Sequence, residues 1–171
     1  MTLPARPLPS PNHDARRGPV DILLLHYTGM VAAEAALKRL CDPVARVSAH
    51  YLIDEDGTLW QLVGEDRRAW HAGVSFWAGE SDINARSIGI ELQNPGHEFG
   101  YRAFPEPQMK TLIELAQGIL QRHPIPASRV IGHSDVAPTR KEDPGELFDW
   151  QRLAAAGIGL WPAGDSEPPH G

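Results

Sequence analysis

Two histidines, His26 and His133, each close a short apolar run, Val20 to Tyr27 and Val130-Ile131-Gly132-His133. Such residues reach one sheet edge when their strands are neighbours running the same way. Asp143 follows ten residues after His133. Two imidazoles and one carboxylate make a three-ligand zinc set whose fourth position is open to water. Zinc in such a set lowers the pKa of water to roughly 7 and polarises a carbonyl oxygen, which suits hydrolysis at neutral pH. Spacing alone leaves a second reading open, in which each histidine is an ordinary hydrogen-bonded side chain.

Further chemistry-bearing residues surround this set in the sequence. Glu91 is a carboxylate in an otherwise apolar run, Ser87-Ile88-Gly89-Ile90-Glu91-Leu92, and could move a proton between a water and a leaving amine. Gly89, two residues earlier, leaves room for a ligand to approach; the alternative is that Glu91 is a solvent-facing edge residue. Lys141, two residues before Asp143, could stabilise an oxyanion, or could be one solvated charge in Arg140-Lys141-Glu142-Asp143. His50, His71, Trp70 and Asn94 are candidate substrate contacts, Asn94 because it heads one of two polar, glycine-bearing loops (64–84 and 94–104) suited to a cleft rim. His13, His97, His123 and His170 read as surface residues.

The elements that must position these groups follow from local pattern. The run ending at Tyr27, preceded by Gly-Pro and followed by Thr28-Gly29, predicts a buried strand. Ala32 to Cys41 predicts a helix ended by Asp42-Pro43. The Asp56-Gly57 pair predicts a hairpin between two short strands within 49–63. Over Ser87 to Leu92 strict alternation puts Ile88, Ile90 and Leu92 on one face and Gly89 and Glu91 on the other. Met109, Leu112, Ile113, Ala116, Ile119 and Leu120 form the buried stripe of a helix over Pro107 to His123. A last helix is expected from about Asp149 to Ala156. Irregular alternation of strands and helices with one hairpin predicts an α/β fold, a central mixed sheet flanked by helices.

The chain has 171 residues, with 16 Lys+Arg against 22 Asp+Glu and a net charge of −6, so it lacks the basic footprint of a nucleic-acid binder. A single cysteine excludes an intrachain disulfide framework. No run approaches a membrane span and the first twenty residues contain no continuous apolar stretch, from which a cytoplasmic protein with no membrane partner is expected. The Pro- and Arg-rich residues 1–19 are expected to be extended or disordered. One domain spans 20–162, and 163–171 form a polar tail.

Leu25-His26-Tyr27-Thr28, Ser48-Ala49-His50-Tyr51-Leu52-Ile53, Asp56-Gly57-Thr58, Trp70-His71-Ala72-Gly73, Ser87 to Leu92, Gly132-His133-Ser134-Asp135 and Ala137 to Gly145 occur in this order. Together they resemble the zinc N-acetylmuramoyl-L-alanine amidases of the type 2 family, relatives of a phage lysozyme and of peptidoglycan recognition proteins. The resemblance runs from about Val20 to Trp161. It implies a mixed sheet with helices, zinc held by His26, His133 and Asp143, Glu91 as general base and Lys141 at the oxyanion. Some members carry a tyrosine before the histidine matched by His50 and a cysteine at the position of Asp143. Ala49 and Asp143 stand here instead, closest to the bacterial wall-recycling branch. The implied reaction is hydrolysis of the amide between N-acetylmuramic acid, in its 1,6-anhydro form, and L-alanine of a stem peptide, by a monomer. The alternatives are a non-catalytic muropeptide-binding module, a peptidase cutting within the stem, and a periplasmic amidase acting on intact peptidoglycan.

Overall fold

The computed structural model describes residues 3–161. Two short strands, β1 (Arg6–Pro7) and β2 (His13–Ala15), come first. The apolar run then forms β3 (Ile22–Tyr27), followed by helix α1 (Ala33–Leu40) and the hairpin strands β4 (Tyr51–Ile53) and β5 (Leu59–Gln61). Next come β6 (Arg67–Ala69), α2 (Ile83–Arg86), β7 (Ser87–Leu92) and α3 (Gly96–Phe99). The chain closes with the long α4 (Glu106–Arg122), β8 (Val130–Gly132), α5 (His133–Val136) and α6 (Trp150–Ala155). Six strands form one sheet in the order β1-β5-β4-β7-β3-β8, while β2 and β6 pair as a separate antiparallel ribbon. Neighbours from β4 to β8 run parallel, and β5 runs against β4 to close the hairpin. The result is the mixed α/β sheet expected from the pattern.

The sheet has two different faces, because successive residues of a strand point to opposite sides. Leu23 and Leu25 of β3 join Ile88, Ile90 and Leu92 of β7 against Met109, Leu112, Ala116 and Ile119 of α4. This face is continuous and apolar, and it is the main core. The opposite face carries two smaller clusters, Leu52 with α1 and Ala69 on one side, and Ile22, Leu24, Ile131 and Ile83 on the other. The ends of β3 and β7 on that face present His26 and Glu91, which are paired in register.

The stretch before Val20, expected to be extended or disordered and outside the domain, is extended but stitched to the body. β1 pairs with β5 and β2 with β6. Asn12 is buried and donates from Nδ2 to the carbonyls of Asp42 at 2.9 Å and Val47 at 2.8 Å. The Arg16 guanidinium donates to the carbonyls of Glu65, Ala85 and Ser87 at 2.8, 3.2 and 2.9 Å. The polar tail expected over 163–171 lies outside the described residues. No helix among the described residues is long and apolar enough to cross a membrane.

Candidate metal centre and active site

β3 and β8 are parallel neighbours, with Leu25 opposite Gly132. Their C-terminal ends therefore deliver His26 and His133 to the same place. The run through His133 was expected to be strand to its end. Instead the strand stops at Gly132 and His133 opens α5. A Cβ on Gly132 would lie 2.6 Å from Cδ of Pro144, so the glycine lets the loop carrying Asp143 cross close over the end of β8. The Ser134 N–H fixes that crossing by donating to the Asp143 carbonyl at 2.9 Å.

His26, His133 and Asp143 thereby converge, and all three are buried. Nδ1 of His26 lies 2.9 Å from Nδ1 of His133 and 3.3 Å from Oδ2 of Asp143, and the third edge of the triangle is 3.2 Å. Nε2 of His133 is 2.8 Å from the Ala72 carbonyl, which can only accept, so that nitrogen carries the proton and Nδ1 offers a lone pair. Burial, followed by the neighbouring His133, lowers the pKa of His26 to about 4. Burial pushes Asp143 upward, but its contacts with His133 and His26 outweigh it and hold the carboxyl well below the usual range. Two imidazole lone pairs and an ionised carboxylate thus face one point at edges close to the roughly 3.3 Å of a tetrahedron with 2.0–2.1 Å bonds. That donor set fits a divalent cation, and these three residues would hold it.

Glu91 sits between His26 on one neighbouring strand and Leu52 on the other. Its Oε2 is buried without a hydrogen-bond partner. Burial, and secondarily the charge of Asp143, raise its pKa well above the usual carboxylate value, with Lys141 opposing. Glu91 and Lys141 line the same cleft of about 600 Å³ as the three convergent residues. A carboxylate with a raised pKa, a lysine ammonium and a candidate cation centre therefore share one opening.

The candidate substrate contacts divide. Trp70 and His71 line the cleft, and Trp70 Nε1 is buried without a partner. His50 does not belong with them: it is fully buried, and its Nδ1 accepts from the Gly89 N–H at 3.0 Å while Nε2 donates to the Arg67 carbonyl at 2.9 Å. It extends the pairing of β4 with β7. Asn94 is also fully buried, donating to the Arg102 carbonyl at 2.7 Å and accepting from the Gly96 N–H at 3.1 Å, so it shapes the rim loop from within. The space beside Gly89 is filled by the chain's own His71 ring, not left for a ligand.

Two further residues line the cleft. His97 is exposed, as expected of a surface residue, and stacks on Tyr101 with centroids 4.1 Å apart. Its Nε2 lies 2.8 Å from Glu146, and its Nδ1 is 2.9 Å from both Tyr27 and Glu142. It ties α3 to the loop that carries Lys141 and Asp143. Arg140 donates to the carbonyls of Ala72 and Val74 at 2.8 and 2.9 Å. Only its place beside Lys141 could have drawn attention to it.

Residues 16–146 match a family profile described as N-acetylmuramoyl-L-alanine amidase. The chain is 41% identical over 155 residues to N-acetylmuramoyl-L-alanine amidase AmiD of Escherichia coli, covering 84% of this chain and 55% of that protein. It is 37% identical over 172 residues to 1,6-anhydro-N-acetylmuramyl-L-alanine amidase AmpD of Enterobacter cloacae, covering 88% of this chain and 89% of that one. This chain thus spans about half the length of the first relative and most of the second. A solved complex of the E. coli AmiD amidase with anhydro-N-acetylmuramic acid-L-Ala-D-γ-Glu-L-Lys superposes with a TM-score of 0.79 at 39% identity, covering 88% of this chain and 63% of that one.

Proposed function

The chain belongs to the N-acetylmuramoyl-L-alanine amidase family, and from that premise we propose that it hydrolyses the amide between N-acetylmuramic acid, in its 1,6-anhydro form, and L-alanine of peptidoglycan stem peptides. The observation that carries the reading is Glu91: an acceptor atom buried without a partner, on the strand beside His26, in a cleft shared with His133, Asp143 and Lys141. We take the cation to be zinc, held by His26, His133 and Asp143, since two imidazoles and a carboxylate with an open position are a hydrolytic zinc set. When bound, zinc supplies Lewis acidity to the scissile carbonyl and acidifies water.

The chain's own residues do the rest. Glu91 takes a proton from the water that attacks the lactyl carbonyl carbon, and the Lys141 ammonium faces the negative charge that develops on the carbonyl oxygen. The carbon–nitrogen bond then breaks, and Glu91 returns its proton to the departing L-alanine amine. Burial favours this cycle, because it raises the affinity of the Glu91 carboxylate for a proton. Every residue of this scheme comes from one chain, so a monomer suffices. Soluble anhydromuropeptides as substrates support recycling in the cytoplasm as the setting.

Mass-spectrometric product analysis tests the proposal, with zinc-loaded protein given matched anhydro- and reducing-end muramoyl peptides. Intact stem peptide released from the anhydro substrate alone is the expected result. Equal cleavage of both keeps the amidase and removes the anhydro preference. Binding without cleavage makes the chain a recognition module, and cuts inside the stem make it a peptidase.

A further inference from the structure

Behind His26 lies a chain of hydrogen bonds whose direction is fixed at its far end. The Ser87 hydroxyl is 2.7 Å from the Ile83 carbonyl, which can only accept, so Ser87 donates there. Its oxygen then accepts from His71 Nε2 at 3.0 Å, which puts the His71 proton on that nitrogen. His71 is buried with no carboxylate among its partners, so it is uncharged and presents a lone pair at Nδ1. That lone pair lies 2.9 Å from His26 Nε2, which must therefore carry the His26 proton. The His26 Nδ1 lone pair is left facing His133 and Asp143.

The next residue treats the other histidine in the same way, since the Ala72 carbonyl accepts from His133 Nε2 at 2.8 Å. One dipeptide thus supplies the acceptors behind both imidazoles. It is held in turn by a single side-chain oxygen, because Asn84 Oδ1 accepts from the backbone N–H of His71 at 3.0 Å and of Ala72 at 2.8 Å. A histidine that binds a metal through one nitrogen needs its other N–H anchored, and loss of such an anchor typically costs 10–100-fold in metal affinity.

We propose that His71 is a positioning residue: oriented by Ser87 and held by Asn84, it fixes His26 as the Nε2–H tautomer so that Nδ1 faces the metal. This rests on reading His26 as a metal ligand. The role is separate from contact with substrate, which His71's place on the cleft wall had suggested.

The test uses the full chain and zinc. Imidazole proton–nitrogen correlation spectra of the metal-free wild type should show His26 protonated on Nε2. Zinc affinity, measured by competition with a chromogenic chelator, should fall roughly 10–100-fold in His71→Leu, which cannot accept a hydrogen bond. His71→Asn, whose Oδ1 stands near the place of the imidazole Nδ1, should restore affinity to within about 3-fold, and a merely space-filling role would not distinguish the two variants. Wild-type affinity in His71→Leu, or equal losses in both variants, overturns the proposal. Should His71→Leu not fold, the wild-type spectrum decides alone, because a His26 protonated on Nδ1 also overturns it. A wild type that binds no zinc removes the metal reading itself, whatever the tautomer.

Discussion

The Cβ that Gly89 lacks would stand 2.5 Å from Cγ and Nδ1 of the His71 ring. Gly89 has no left-handed backbone angle that would require glycine; the requirement comes from the His71 imidazole packed against it. Gly89→Ala must therefore displace His71 or bend β7, an overpacking that costs about 1–3 kcal/mol. Thermal unfolding should shift down by roughly 3–10 °C for a chain of this size, with a parallel loss of zinc affinity. An unchanged melting temperature would mean that the ring slides aside freely.

Glu91 offers the opposite sign. Its folded pKa is raised above the ordinary 4.5, so the folded chain binds more protons than the unfolded one between those values. Stability is therefore lost as pH rises through the raised pKa. Glu91→Gln removes that charge, and metal-free protein should gain about 1–3 kcal/mol at pH 7–8, with the gain vanishing below about pH 4.5. Hydrolysis should fall by roughly 10²–10⁴ in the same variant while zinc content holds. Urea titrations at several pH values check the first part, and a loss of stability at pH 8 would show that Glu91 has a partner after all.

Glu65 works in reverse. Burial resists its ionisation, but hydrogen bonds from Arg122, Tyr51 and His123 overcome this and draw its pKa down to about 2. A carboxyl depressed in the folded state contributes stability that is present above its unfolded value of 4.5 and lost as pH falls toward 2. Arg122 is half exposed, which trims the contribution to about 2 kcal/mol. The stability difference between wild type and Glu65→Gln should be full at pH 6 and shrink steadily from pH 4.5 to 2. A pH-independent difference would assign the effect to packing instead.

What could be read in the sequence depended on whether a residue's neighbours lay along the chain or across it. Alternation through Ser87–Leu92 put Glu91 on the face away from Ile88, Ile90 and Leu92, and the apolar run before His26 put that histidine at a strand end. Both patterns are local. His50 and Asn94 bond to backbone groups, and no side-chain pattern shows which carbonyl or amide a polar residue will meet. The emptiness beside Gly89 was visible, but the ring that fills it comes from a separate loop. Strands β1 and β2 are too short to show a period at all.

That N-terminal stretch supports the last prediction. Arg16 donates to the Ala85 and Ser87 carbonyls, and so fixes the start of β7 just where Ser87 accepts from His71. A third bond, to the Glu65 carbonyl, ties the same guanidinium to the loop before β6. Lysine has no planar fork to reach three carbonyls at once. Arg16→Lys should therefore cost nearly as much as Arg16→Ala, about 2–3 kcal/mol by urea unfolding. Removing residues 1–16 should cost more than either, because the buried Asn12 bonds to Asp42 and Val47 go with it. Amide exchange should then quicken first around Ser87 and Ile88, at the end of β7 that Arg16 holds. If the shortened chain unfolds at the wild-type urea midpoint, the segment is a passive covering and the start of β7 is fixed by the sheet alone.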